Sequence, residues 1–202
     1  MASIYDLKPA FQNLLRPLCR TLVRFGVTAN QVTVSAMMLS IVAGAAILWR
    51  PGARRLLLLV PIVLFVRMAL NAIDGMMARE HAMKTSLGAI LNELGDVLSD
   101  AALYLPLAGV AGVDARAVVA AVLMGLVAEM TGVVAVQIGA ERRYDGPMGK
   151  SDRAFVFGAL CLLLALGVPR GIWIDLLLWV VVSLLALTIL NRARGALGEV
   201  RT

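Results

Sequence analysis

The chain has 202 residues, of which 60% are hydrophobic and 16% charged, and its mean hydropathy is +0.87. Helices of a soluble domain need a polar face that a chain this apolar cannot provide, and no two-residue alternation of the membrane-barrel kind runs through it. The formal charge of +6 follows from how cations distribute about a membrane and suits anionic lipid headgroups, so nucleic acid is not an expected partner.

Residues 1–27 read as a juxtamembrane amphipathic helix. In LKPAFQNLLRPLCRTLVRFG, Phe11, Leu14, Leu15, Leu18, Leu22 and Phe25 recur at helical spacing opposite Lys8, Arg16, Arg20 and Arg24, the pattern of a helix lying in the interface plane. Pro17 is expected to bend or interrupt it. Charges break the apolar run and no small-residue cleavage site follows, so the segment does not read as a signal peptide. A membrane domain follows over 28–196, with a short cytoplasmic tail at 197–202. Crossing about 30 Å of hydrocarbon takes about 20 helical residues. Six such windows occur, at 29–49, 54–78, 86–110, 115–139, 151–169 and 171–191. The expected fold is an all-α integral membrane protein with six transmembrane helices.

Charge sets the expected orientation. With the N-terminus in the cytoplasm, inner segments carry Lys8, Arg16, Arg20, Arg24, Arg79, Lys84, Arg142, Arg143, Lys150, Arg153, Arg192, Arg194 and Arg201. Outer segments carry Arg50, Arg54, Arg55, Arg116 and Arg170, and Arg67 stays within the second span. This positive-inside bias places both termini on the cytoplasmic side of the cytoplasmic membrane. Cys19 and Cys161 fall on different elements, which argues against a disulfide.

The second and third spans carry an unusual polar stretch, NAIDGMMAREHAMKTSLGAILNELGD, residues 71–96. Asn71, Asp74 and Ala78 share one helical face, and Gly88, Asn92, Asp96 and Asp100 recur every four residues on the next helix. The connector between them reverses the chain, so Asn71, Asp74, Asn92 and Asp96 are expected to converge near the cytoplasmic boundary. Oxygen donors without cysteine suit a hard cation, Mg²⁺ or Mn²⁺. Small residues at 75 and 78 also serve ordinary helix packing in membranes, and a lone Asn is often only interhelical glue. Several ionisable groups on facing stripes favour a functional site.

The stretch resembles the CDP-alcohol phosphotransferase motif D-x2-D-G-x2-A-R-x8-G-x3-D-x3-D. Here it reads Asn71-x2-Asp74-Gly75-x2-Ala78-Arg79-x8-Gly88-x3-Asn92-x3-Asp96, with Asn at the first and third Asp positions. VTANQVT before the first span is similar to the family's T-P-N-x-x-T. The resemblance implies transfer of a phosphatidyl group from CDP-diacylglycerol to an alcohol, with release of CMP. It implies metal ligation by Asn71, Asp74, Asn92 and Asp96, with Asp96 also the general base. Donor nucleotide and diphosphate would meet Asn30, Thr33, Gly75, Ala78, Arg79, Thr85 and Gly88, and a homodimer is the family expectation. An Asn carbonyl ligates a cation without bringing charge, so a catalytically weak or inactive lipid-binding protein is the alternative. A transporter is disfavoured, because the polar residues gather at one end of the bundle. A donor carrying the alcohol, with diacylglycerol as acceptor, is a further variant within the enzyme class.

Cations near the later span ends mark an acceptor site. In GAERRYDGPMGKSDRAF, Lys150 and Arg153 follow a Gly-Pro turn, with Asp145 and Asp152 placed to orient them, and Arg192 and Arg194 close the sixth span. They suit a phosphate on the acceptor, although the positive-inside bias explains such arginines equally well. Arg67 and Asp100 each lie one turn deeper than the motif on its own stripe, so an Arg67–Asp100 ion pair is expected as the floor of the site, with Glu129 as the competing partner.

Overall fold

A computed structural model describes the backbone of residues 4–200 and the side chains from residue 9 to 200. Lys8 and Arg201, two of the cations counted above, lie outside the described side chains. The described residues form seven α-helices and no strand: α1 (Ile4–Arg24), α2 (Ala29–Trp49), α3 (Leu59–Glu80), α4 (Ser86–Tyr104), α5 (Ala115–Val134), α6 (Lys150–Leu166) and α7 (Ile172–Val200). Short 3-10 turns precede α3 at Arg54–Leu58 and follow α4 and α5 at Leu105–Gly109 and Ala135–Ile138.

Among the described residues, four helical stretches are long and apolar enough to cross a membrane: Ala29–Trp49, Arg54–Glu80, Ala115–Ile138 and Ile172–Val200. The other two expected spans fall short of that mark for visible reasons. α4 carries Glu93, Asp96 and Asp100 within 19 residues, and α6 has only 17 residues and opens with Lys150, Asp152 and Arg153. Most helix bounds fall within a few residues of the hydropathy windows.

Two details sharpen the expectations, the first at Pro17. α1 runs through Pro17 without interruption. Pro17 removes one backbone donor, but it and Asn13, whose carbonyl that donor would have served, are both exposed, so water can take the orphaned acceptor. The second concerns the C-terminus, where α7 continues nine residues past position 191. Arg192 and Ala196 are buried there, so packing extends the helix beyond its apolar stretch.

The chain divides into two compact units, Met1–Val42 with Ile62–Ser99, and Ala43–Pro61 with Asp100–Thr202. In the first, Cys19 of α1, Ala29 and Val32 of α2, and Ile73, Met76 and Met77 of α3 form a buried core flanked by Leu15, Leu22 and Val23. Burial pushes the Cys19 thiol above its ordinary range. The rest of the α1 apolar face, Leu14, Leu18 and Phe25, is exposed, as a helix bathed by lipid requires. In the second unit α5 packs along α7, and Tyr104 stacks on Phe157 with ring centroids 4.1 Å apart.

Candidate active site

The helix starts in the first unit are set by side-chain caps. The Thr28 hydroxyl accepts the Gln31 N–H at 3.3 Å while Gln31 Oε1 accepts the Thr28 N–H at 2.9 Å, a reciprocal capping box that fixes the first turn of α2. Asn30 and Thr33 are thereby presented from that turn. Thr85 caps α4 in the same way, its hydroxyl accepting the Gly88 N–H at 2.9 Å. Asn30 reaches this cap, with Nδ2 3.3 Å from Thr85 Oγ1. A Cβ at position 88 would stand 2.7 Å from Asn30 Oδ1 and 3.0 Å from Thr85 Oγ1. A methyl group there would push the Asn30 amide or the Thr85 hydroxyl aside.

On α3, Asp74 is buried, and its Oδ2 lies 2.7 Å from the Thr33 hydroxyl. That hydroxyl is also 3.1 Å from the Ala29 carbonyl, but it has one proton, and the shorter, charge-assisted partner takes it. Asn71 Nδ2 donates to Asp96 Oδ1 at 3.4 Å, joining α3 to α4. Arg67, one turn earlier and 3% exposed, brings Nη2 to 3.7 Å from the same oxygen. Asp96 itself keeps 23% side-chain exposure. Arg79 folds back over Gly75, so that a Cβ there would lie 3.2 Å from both terminal guanidinium nitrogens. Ala78 is half-buried on the same helix, and Asn92, one turn before Asp96 on α4, is exposed.

The structure thus brings together Asn71 with Asp96, Thr33 with Asp74, and Asn30 with Thr85 and Gly88. Among the described residues, no three His, Cys, Asp or Glu side chains are grouped to hold a metal, because two of the four motif positions are amides. The donors that remain, two carboxylates and two amide oxygens, are uniformly hard and suit Mg²⁺ or Mn²⁺.

The second unit holds a different cluster. Arg153, 4% exposed, donates from Nη2 to Asp100 Oδ2 at 3.0 Å and from Nη1 to Glu129 Oε1 at 3.1 Å. Arg192, 1% exposed, places Nη1 3.3 Å from Glu129 Oε2 and donates to the Ala128 carbonyl at 2.6 Å. Arg142 Nη2 lies 3.5 Å from Glu129 Oε2. Sequence reasoning named Glu129 only as a partner for Arg67 and did not foresee that it gathers three arginines. Its depth in a span was the available signal. Lys150 is half-buried at the start of α6, and Arg194 is exposed on α7.

The loop between α5 and α6 is tied to α7 beside this cluster. Arg143 donates to Asp145 at 2.7 and 3.0 Å and to Glu199 Oε2 at 2.8 Å, while Glu199 Oε1 accepts the Glu141 N–H at 2.9 Å. Arg143 holds the Asp145 carboxyl below its ordinary range by that hydrogen bond, and the same bond raises Arg143. Gly146, at φ +118°, lies so close to Thr188 that a side chain would collide with it.

The sequence model of the CDP-alcohol phosphatidyltransferase family matches residues 26–190. The chain belongs to this family, whose members are membrane transferases of substituted phosphate groups in phospholipid biosynthesis. It is 46% identical over 196 residues to the inner membrane protein YnbA of Escherichia coli K12, covering 96% of each chain. Over 102 residues it is 34% identical to the phosphatidylinositol phosphate synthase of Mycobacterium marinum, covering 48% of this chain and 40% of that protein. Its fold resembles that of the Mycobacterium tuberculosis phosphatidylinositol phosphate synthase PgsA1 with CDP-DAG bound, with a TM-score of 0.75 and 22% identity over 92% of each chain. The same protein in complex with manganese and citrate matches at the same TM-score and identity, over 92% of this chain and 88% of that one.

Proposed function

We propose that this chain moves a phosphatidyl group from CDP-diacylglycerol to a polar alcohol, most simply one that itself carries a phosphate, and releases CMP. The observation that carries the proposal is the paired α3–α4 face, where the motif's last Asp stands against its first position, Asn71 to Asp96, inside a chain of this family.

Asn30, Thr33, Gly75, Ala78, Arg79, Thr85 and Gly88 hold the cytidine and diphosphate of the donor. Glycine at 75 admits a phosphate to the helix backbone, and the guanidinium above it offers a planar fork of donors. As the acceptor oxygen bonds to the phosphatidyl phosphorus, the bond from that phosphorus to the CMP oxygen breaks and Asp96 takes the hydroxyl proton. Asn71, Asp74, Asn92 and Asp96 hold a divalent cation, Mg²⁺ or Mn²⁺, which when bound neutralises charge on the diphosphate. Lys150, Arg153, Arg192 and Arg194 receive the acceptor. Arg142, Arg153 and Arg192 gather at Glu129 in this unit, a concentration of cations that supports an anionic acceptor. The enzyme spans the cytoplasmic membrane six times, works from the cytoplasmic side and acts as a homodimer.

The test is purified protein with CDP-diacylglycerol, Mg²⁺ or Mn²⁺ and a panel of alcohols that includes glycerol 3-phosphate and inositol phosphate. Metal-dependent CMP release with one acceptor is the expected result. No CMP with any acceptor, together with retained CDP-diacylglycerol binding, would favour the second reading, a lipid-binding protein without turnover, for which the amides at 71 and 92 are the specific observation.

A further inference from the structure

The Glu129 carboxylate is surrounded by guanidiniums as a bound oxyanion would be, and its two oxygens are held unequally. Oε1 accepts from Arg153 Nη1 at 3.1 Å, while Nη2 of the same fork donates to Asp100 at 3.0 Å. The Arg153 side chain is only 5% exposed. Oε2 faces two guanidiniums at longer range, Arg192 Nη1 at 3.3 Å and Arg142 Nη2 at 3.5 Å. Both separations exceed the roughly 2.8 Å of a strong guanidinium–oxyanion bond.

The two cations on the Oε2 side have supports other than Glu129. Arg192 donates from Nη1 to the Ala128 carbonyl at 2.6 Å and from Nε to the Asp145 carbonyl at 3.3 Å. Arg142 lies over the exposed Tyr144 ring, 4.3 Å from its centroid. The loop that carries Arg142 and Tyr144 is fixed to α7 by Arg143 through Glu199 and by the Met148 N–H on Thr188. The Arg142 side chain is 23% exposed, against 2% for Arg192. A pair of guanidiniums placed in this way, one of them open to the outside, is suited to the oxygens of a phosphate. Glu129 Oε2 stands in that place.

On the transferase reading above, we infer that Glu129 is an internal stand-in for the phosphate of a soluble acceptor. An arriving phosphate monoester takes Arg142 and Arg192 from Oε2, while Oε1 stays with Arg153. Glu129 thereby sets how tightly an anionic acceptor binds, because each phosphate that enters displaces a carboxylate oxygen and remains beside a like charge. Arg142 joins the residues that receive the acceptor, and Arg153 contributes by holding Glu129 in place.

The experiment is calorimetric titration of the purified full-length protein in detergent with inorganic phosphate and glycerol 3-phosphate, against chloride at matched ionic strength. CMP release from CDP-diacylglycerol is followed on the same preparations. Glu129→Gln should bind both phosphates about tenfold more tightly or better than the unaltered protein, because a like charge no longer stands in the site. Both ligands should also restore part of the thermal stability that this variant loses, which a merely structural Glu129 would not allow. Equal or weaker phosphate binding by the variant overturns the inference. If the variant fails to fold, phenylglyoxal modification of the unaltered protein, read by peptide mass spectrometry, decides the question. Phosphate should slow the reaction of Arg142 and leave that of the exposed Arg116 unchanged, and an Arg142 rate unmoved by phosphate overturns the inference. Tighter binding of dioctanoyl phosphatidic acid than of glycerol 3-phosphate would give the site to a lipid headgroup and overturn it as well. Failure of these phosphate effects with CMP release intact strikes the inference alone, whereas no CMP release with any acceptor strikes the transferase reading itself.

Discussion

Asp96 and Glu129 are both acids on apolar helices, and their surroundings differ in kind. Glu129, with its side chain 10% exposed, is met by Arg142, Arg153 and Arg192 at 3.1–3.5 Å. Asp96 is 23% exposed, with the Arg67 guanidinium at 3.7 Å and the Asn71 amide at 3.4 Å among its neighbours. A carboxylate enclosed by three cations is committed to holding helices together, because removing it would strand charges that cannot be deprotonated. A carboxylate at a partly open face stays accessible to an ion or a proton. Exposure, 23% at Asp96 against 10% at Glu129, distinguishes the two acids here better than depth in a span does.

The strongest way to break this contrast is to neutralise each acid in turn. Asp96→Asn should lower CMP release by about 10³-fold, within the range that a positioned base supplies, with thermal stability and CDP-diacylglycerol binding kept. Turnover close to the unaltered rate would remove Asp96 from the role of base. Glu129→Gln should do the reverse, costing about 3–5 kcal/mol of stability through uncompensated buried arginines, read from thermal unfolding in detergent. Asp100→Asn should cost less, about 1–3 kcal/mol, because Arg153 retains Glu129.

Smaller changes sharpen the comparison. Gly88→Ala pushes a methyl group into Asn30 and Thr85, and should raise the Kd for CDP-diacylglycerol by about tenfold, or 1.4 kcal/mol, in a direct binding assay. The mildest effect concerns Asp145. Its carboxyl is held below the ordinary value of 3.8 by Arg143, so the stability it contributes is complete above that value and is lost only as pH falls through the lowered one. Hydrogen exchange of the 139–149 amides, corrected for intrinsic rates, should therefore stay flat through neutral pH and rise only below about pH 4. Arg143→Gln should move that rise upward, and an unmoved onset would show that Arg143 does not hold the carboxyl.

Much of this was legible before any coordinates. Apolar runs fixed most helix bounds to within a few residues because hydrophobic length is a local property, the end of α7 excepted. The motif placed Asn71 opposite Asp96 because two stripes joined by a short connector leave few alternatives. The guanidinium cluster was not legible. Arg142, Arg153 and Arg192 each have an independent reason to sit where they do in the positive-inside bias, and their common partner lies 13 to 63 residues away in sequence. The continuity of α1 through Pro17 was hidden as well, because propensity counts the missing donor and not the exposure of the freed carbonyl.

One dimension of α7 carries a mechanical consequence. At about 1.5 Å per residue its 29 residues make a rod about 43 Å long, against about 30 Å of hydrocarbon. An upright rod stands clear of the oily layer by more than two turns, and even a tilted one leaves its last turn in the headgroup region. The loop that Glu199, Arg192 and Thr188 anchor is therefore moored to a post rising above the lipid, and bilayer thickness sets the height of that mooring.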